Sequence, residues 1–234
     1  MSRTEHRFQA SRSAGEVSAI LDRPEHARWL YVFGHGAGAG MRHGFLERAS
    51  AALGAQGIAT FRYQFPYVEK GRRTPDPQPI LLSTVRAAVA EAHAAAGDLP
   101  LLAGGKSMGG RMTSLASAAE ALPGVRGLVF LGFPLHPMGR PGTVRSEHLE
   151  RVEVPMLFLQ GTKDKLARIE LLQPLIEGLG GMAKLHIVED ADHSFATPKR
   201  SGRDLDDVLF DLARTTAAWA DGLSGGGHPG RNAP

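Results

Sequence analysis

The sequence contains no cysteine among its 234 residues. This absence excludes disulfide bonds, thiolate metal ligands and a cysteine nucleophile, and it fits a reducing compartment. No apolar run approaches the roughly 18 residues of a membrane-spanning helix, and the N-terminal segment lacks the apolar core of a secretory signal. We therefore expect a soluble, cytoplasmic protein that does not bind a membrane.

Neither sign of charge dominates the chain. Its 27 basic and 24 acidic side chains give a formal net charge of +3, and they are spread along the whole length without a basic stripe. Nucleic acid is therefore not an expected partner. The hydrophobic fraction of 42% suffices for one sizeable core. We expect one domain over residues 1–222 and a flexible, glycine-rich tail over 223–234; the sequence does not indicate the oligomeric state.

Short apolar runs alternate with segments of helical period, which is the pattern of a mostly parallel sheet covered by helices. The predicted fold class is therefore α/β. The segment between Gly132 and Met156 is too short to hold a helical cap domain, so we expect an open site. The predicted strands span residues 16–21, 30–34, 58–63, 99–104, 127–132, 156–161 and 184–189.

A candidate nucleophile lies in the segment LPLLAGGKSMGGRM, where Gly105, Ser107 and Gly109 form a G-x-S-x-G frame. In a chain with 29 glycines the frame alone is weak evidence. Its context is stronger, because it follows an apolar strand and precedes a helix, where flanking glycines allow a sharp turn that exposes the serine. A serine hydroxyl needs an imidazole to accept its proton and a carboxylate to orient that imidazole.

Both partners of such a serine are present at predicted strand ends. Asp164 follows the strand at 156–161, and His193 follows the strand at 184–189. Serine, acid and histidine then occur in the chain order of hydrolases that carry this serine turn. We predict that Ser107, Asp164 and His193 form a catalytic triad.

Other assignments of these residues are open at this point. Asp164 is also a suitable cap for the helix that follows it. Asp190 and Asp192 are alternative carboxylate partners for His193. His186 is an alternative base, although its place inside a strand favours a packed or solvent-facing side chain.

The segments GHGAGAG, FRYQFPY, GKSMGGRM, GFPLHP, QGTKD and DHSF resemble the α/β-hydrolase superfamily. Within it the chain is similar to small cap-less members related to dienelactone hydrolases, over about residues 15 to 222. The same segments resemble a bacterial subfamily that is related to a subunit of the NSL histone acetyltransferase complex. Dienelactone hydrolases proper use a cysteine nucleophile, and because Ser107 stands at that position, their substrate is not carried over.

The resemblance implies an oxyanion hole made of backbone amides. One donor is Met108, the residue after the nucleophile, and the other lies in the loop after the strand at 30–34, where Ala37 is preferred and Gly36 is the alternative. The implied function is hydrolysis of an ester or thioester of a small-molecule acyl substrate through an acyl-enzyme, without a metal or cofactor. The alternative is a catalytically silent binding module with this fold, against which the complete triad argues.

Three further residues are candidates for a substrate pocket. His35 either contacts substrate or shapes the oxyanion loop by hydrogen bonds. His136 in GFPLHP either lines the pocket or is a turn residue between two prolines. Arg62, at the end of a strand, either meets an acidic substrate group or forms an internal ion pair.

Two segments of this sequence partly match nucleotide-binding motifs, but each lacks a residue that the motif requires. The run Gly105-Lys106-Ser107 looks like the end of a phosphate-binding loop, but the first glycine of that motif would fall at Pro100, and the intervening residues form a strand. The glycine-rich loop after the strand at 30–34 satisfies a relaxed dinucleotide fingerprint. No acidic residue ends the next strand, so a nucleotide cofactor is not expected.

Overall fold

The computed structural model describes residues 1–225, within which eight strands form one sheet. The strands are β1 (Ser2–Ser11), β2 (Gly15–Arg23), β3 (Trp29–Gly34), β4 (Ile58–Tyr63), β5 (Leu101–Lys106), β6 (Val125–Leu131), β7 (Met156–Gly161) and β8 (Ala183–Val188). Their order across the sheet is β1-β2-β4-β3-β5-β6-β7-β8. All neighbours from β4 to β8 are parallel, whereas β1 and β2 run antiparallel to their neighbours. The predicted α/β class is confirmed.

Helices cover both faces of this sheet and create two cores. They are α1 (Gly44–Ala55), α2 (Pro66–Glu69), α3 (Gln78–Ala96), α4 (Met108–Ala119), α5 (Ile169–Gly178) and α6 (Leu205–Gly225). Apolar residues of α3, α4 and α5 pack on one face, while those of α1 and α6 pack on the other. The middle strands are buried on both faces, which explains why their sequences are apolar without alternation.

Each of the seven predicted strands is present, with ends shifted by up to two residues, but β1 was not predicted. It lies at the edge of the sheet, pairs only with β2 and exposes most of its side chains. Only Phe8 and Ala10 on its inner face are fully buried. A strand of this kind has too short an apolar pattern to be distinguished from a polar loop.

The connection between β6 and β7 contains only a short 3₁₀ helix at Val144–Arg151, so the cap domain is absent, as predicted. No helix within residues 1–225 has the combined length and apolar character needed to cross a membrane. At the end of the chain, α6 continues to Gly225, so the first residues of the predicted tail are helical. Within this stretch Leu223 packs against the core under α6. The remainder of that predicted tail, 226–234, lies outside the described residues.

Candidate active site

Ser107 lies at a strained turn between β5 and α4. Its backbone angles are φ 49° and ψ −113°, a conformation that a residue with a side chain adopts at a cost of about 1–3 kcal/mol. Strand and helix lie so close here that a β-carbon on Gly105 or on Gly109 would overlap the backbone carbonyl of Gly34 on the neighbouring strand. The glycines of the G-x-S-x-G frame are therefore explained by the close approach of strand and helix.

Three side chains from three separate turns form a continuous hydrogen-bonded chain at the carboxyl edge of the sheet. Ser107 Oγ lies 2.9 Å from Nε2 of His193, and Nδ1 of His193 lies 2.6 Å from Oδ2 of Asp164. Because a carboxylate only accepts hydrogen bonds, Nδ1 carries the proton in the neutral imidazole and Nε2 is free to accept. The structure thus brings together the three predicted residues in the arrangement needed for proton transfer from the serine hydroxyl.

The Asp164 side chain is only 1% exposed, and both of its oxygens are engaged. Oδ1 accepts a hydrogen bond of 2.7 Å from the backbone N–H of Leu166, so Asp164 also caps the turn that follows β7. Oδ2 accepts a hydrogen bond of 2.5 Å from the side-chain amide of Gln160, in addition to the contact with His193. Sequence analysis missed Gln160; its only signal is a polar side chain in the otherwise apolar strand MLFLQG.

The alternative partners of the histidine are engaged elsewhere. Oδ1 of Asp192 accepts backbone and hydroxyl hydrogen bonds from its own turn. Asp190 lies 4.0 Å from the ammonium of Lys163. His186 lies 3.3 Å from Asp211 of α6, on a different part of the surface.

His35 is fully buried and holds the loop that follows β3. Its Nε2 accepts a hydrogen bond of 3.1 Å from the backbone N–H of Phe65, and Nδ1 donates to the carbonyl of Gly36 at 2.8 Å. Burial lowers the pKa of His35 to about 4, despite the opposing effect of the Gly36 hydrogen bond. The ring is therefore neutral near pH 7, and its contacts are those of the loop-shaping role.

His136 and Arg62 are also buried, and neither contacts the triad directly. His136 donates from Nδ1 to the carbonyl of Pro137 at 2.9 Å and accepts at Nε2 from the backbone N–H of Arg168 at 3.2 Å. It thereby joins the loop after β6 to the segment that follows Asp164. Arg62 is 0% exposed and lies 2.6 Å from Asp22, so of its two interpretations the contacts favour the internal ion pair over the substrate pocket.

Of the predicted oxyanion donors, Met108 and Gly36 lie beside Ser107. Met108 is the first residue of α4, where backbone N–H groups have no acceptor within the helix. The loop from His35 also approaches Ser107, since a β-carbon on Gly36 would lie 3.7 Å from Cβ of Ser107. Ala37 is exposed at this loop.

A second serine–histidine pair lies below this site, between α4 and the 3₁₀ helix. Ser114 Oγ is 2.7 Å from Nε2 of His148, and both residues are buried. Burial, together with the charges of the nearby Arg111 and Arg151, lowers the pKa of His148 to about 4. Among the described residues no carboxylate is hydrogen-bonded to His148, so this pair lacks both an orienting acid and access for a substrate.

Residues 27–221 match the family model described as an alpha/beta hydrolase domain. The chain belongs to the α/β-hydrolase family. Among solved structures, this member of the family resembles dienelactone hydrolase from Anabaena variabilis, with a TM-score of 0.73 and 21% identity over 95% of this chain and 99% of that one. A lidless α/β serine hydrolase from Xanthomonas campestris gives a TM-score of 0.72 and 21% identity, covering 94% and 95% of the two chains.

The esterase domain of a Rhodothermus marinus protein gives a TM-score of 0.69 and 18% identity over 94% of this chain and 98% of that one. At these identities the likenesses concern the fold. They agree with an α/β-hydrolase fold in which no cap domain covers the carboxyl edge of the sheet. Within residues 1–225 no group of three or more histidine, aspartate or glutamate side chains is arranged to hold a metal ion.

Proposed function

We propose that this protein is a serine hydrolase that cleaves an ester or thioester of a small to medium-sized substrate. The observation that carries the proposal is the unbroken chain from Ser107 through His193 to the buried Asp164, with contacts of 2.9 and 2.6 Å. A partly exposed serine at a sharp turn, an imidazole that can accept its proton and a buried carboxylate are the parts that acyl transfer requires.

In the first half of the reaction, Oγ of Ser107 attacks the carbonyl carbon while Nε2 of His193 accepts the hydroxyl proton. The negative charge that forms on the carbonyl oxygen is held by backbone N–H groups of Met108 and of Ala37 or Gly36. The tetrahedral intermediate collapses when His193 donates the proton to the leaving alcohol or thiol. In the second half, water loses its proton to His193 and attacks the acyl group, which releases the acid and restores the serine.

The open rim of the sheet supports the choice of substrate class. The connection between β6 and β7 holds only one 3₁₀ helix, so little protein encloses the acyl chain. Activated esters and thioesters react with limited substrate distortion, which suits a site with little enclosure. The esterase and dienelactone hydrolase named above share the architecture and add support for acyl-ester chemistry.

A fluorophosphonate probe tests the proposal, because it labels only an activated serine. We expect covalent labelling of the wild type and of Ser114→Ala, and none of Ser107→Ala. Ser114→Ala is the matched control because Ser114 also contacts a histidine. Hydrolysis of p-nitrophenyl esters and acyl thioesters should follow the same order.

Two outcomes would contradict the proposal. Absence of both labelling and turnover in the folded wild type would favour a silent binding module with a hydrolase fold. Labelling that persists in Ser107→Ala and disappears in Ser114→Ala would identify Ser114, within α4, as the nucleophile.

A further inference from the structure

Lys106 immediately precedes the nucleophile and is 9% exposed. Its Nζ atom is buried and makes no hydrogen bond within the described residues. An ammonium without hydrogen-bond partners is costly in a protein interior. The mechanism proposed above does not use this group, although Lys106 adjoins Ser107 in the chain.

The surroundings of the ammonium connect it to the segment that carries the histidine. Nζ lies 5.7 Å from the ring centre of Phe45 and 5.6 Å from that of Phe195. The two rings stack with their centres 6.0 Å apart, and aromatic faces attract a cation at such distances. Phe195 is two residues from His193, so this attraction acts on the histidine segment itself.

The ammonium and the imidazole of His193 border the same small space. A β-carbon on Gly132 would lie 3.0 Å from Nζ of Lys106 and 3.4 Å from both Cε1 and Nδ1 of His193. Gly132 leaves that space open. No side chain at position 132 separates the ammonium from the imidazole, so we expect a change at Lys106 to affect the position of His193 directly.

Two carboxylates act on Lys106, one from the turn that carries Asp164 and one from the turn that carries His193. Burial lowers the pKa of Lys106 to about 8, while the carboxylates of Asp164 and Asp192 act in the opposite direction. The remaining elements around it present uncharged groups: the ring of Phe45 from α1, and glycines from the oxyanion loop and the loop after β6. The side chain is thus charged at neutral pH and becomes neutral only a little above it.

The segment 190–196 needs such support because its backbone is strained on both sides of His193. Asp190 has φ 57° and the fully buried Phe195 has φ 63°, values that residues with side chains rarely adopt. Within the segment, Asp192 accepts hydrogen bonds from the backbone N–H groups of Ser194 and Ala196.

We propose that Lys106 is a positioning residue of the proposed hydrolase. Its ammonium, held between Phe45 and Phe195 and attracted by the two carboxylates, fixes segment 190–196 so that His193 stays aligned between Asp164 and Ser107. This inference rests on the proposed function for its kinetic consequence, and on the contacts of Lys106 for its structural one.

The kinetic test compares wild type, Lys106→Met and Lys106→Arg over a pH series with one p-nitrophenyl ester. Methionine fills the aromatic pocket without a charge, whereas arginine keeps its charge throughout the series. We expect Lys106→Met to lose about tenfold in kcat with little change in KM, as a small misplacement of a catalytic group does. The wild type should lose activity as the pH rises through about 8, and neither variant should show that decline.

A second measurement does not depend on activity. Hydrogen exchange of the Ser194 and Ala196 amides should be faster in Lys106→Met than in the wild type at pH 7. Lys106→Arg should stay close to the wild type. A side chain that only fills space would change the melting temperature in Lys106→Met but leave the decline near pH 8 in place.

The results separate the anchoring role of Lys106 from the proposed hydrolase function. Unchanged kcat, pH profile and exchange in Lys106→Met would overturn the proposal. If exchange rises but the wild type shows no labelling at Ser107, the proposed function fails while the anchoring of segment 190–196 stands. Should Lys106→Met not fold, Lys106→Arg decides: a decline near pH 8 that persists in this variant also overturns the proposal.

Discussion

The side-chain amide of Gln160 donates a hydrogen bond of 2.5 Å to Oδ2 of Asp164, the same oxygen that His193 Nδ1 approaches at 2.6 Å. Gln160 is fully buried in β7, four residues before the aspartate. It therefore fixes the rotation of the carboxylate and supports its negative charge in the absence of solvent.

Replacing Gln160 by Met keeps the volume of the side chain and removes this hydrogen bond. We expect kcat to fall roughly tenfold, because a hydrogen bond to a charged group contributes about 1.5–3 kcal/mol. Gln160→Glu should be more damaging, since a second carboxylate would face Asp164. Steady-state kinetics on a p-nitrophenyl ester, with melting curves of each variant, checks this; full activity of the folded Gln160→Met protein would exclude a positioning role for the amide.

Arg62 is predicted to matter for stability and not for substrate binding. Its guanidinium is buried against Asp22, so Arg62→Met leaves that carboxylate with Arg3 as its remaining partner and should lower the free energy of unfolding by about 3 kcal/mol. The double variant Asp22→Asn/Arg62→Met should recover part of this loss. Urea unfolding measures the stability. A KM that rises in the folded single variant for acidic esters, and not for neutral ones, would return Arg62 to the substrate pocket.

The stability of the protein should fall as the pH is lowered from about 6.5 towards 4. Burial lowers the pKa values of His35 and His148 to about 4, below the value of 6.5 for an unperturbed histidine. In this window the unfolded chain binds protons that the folded chain excludes, so acid favours unfolding. Urea unfolding at several pH values should show a shallower pH dependence for His148→Gln than for the wild type. An identical slope in the two proteins would show that His148 does not contribute.

Gly109→Ala should strongly destabilise the protein, because its β-carbon would overlap the carbonyl of Gly34 and force β3 away from α4. Overpacking of this kind costs about 1–3 kcal/mol and occasionally more. Gly178→Ala is the matched control, since a β-carbon at this position in α5 meets no atom within 4 Å. Melting temperatures should separate the two variants clearly. Equal values would mean that strand and helix can move apart at no cost.

The positions of Ser107, Asp164 and His193 could be predicted because each follows a strand whose apolar run is easy to recognise. In a parallel sheet the ends of such strands meet at one edge, so chain order and spacing were sufficient. Their roles as nucleophile, acid and base remain a prediction until the labelling experiment is done. The same reasoning left two interpretations open for His35, because a histidine that holds a loop and one that contacts substrate have the same sequence signal.

Other parts of the site depend on contacts that leave no pattern in the sequence. Gln160 and Lys106 lie within buried strands, where a single polar residue does not reveal which group it faces. The edge strand β1 was missed because its exposed side chains offer only Phe8 and Ala10 as a period-two signal. Two interpretations of Arg62 stayed open because its partner Asp22 lies 40 positions away, on an antiparallel strand.

Helices α1 and α6 cover one face of the sheet, and removal of α6 would expose the apolar side chains on that face. That face of the sheet is covered by α1 and α6 alone among the described helices, and Asp221 near the end of α6 accepts hydrogen bonds from Arg28 and Trp29 at the start of β3. A protein terminated before residue 205 would keep Ser107, Asp164 and His193 yet expose the aromatic and aliphatic side chains that α6 shields. Such a fragment should aggregate during expression, so we expect α6 to be needed for solubility although none of the three triad residues lies on it.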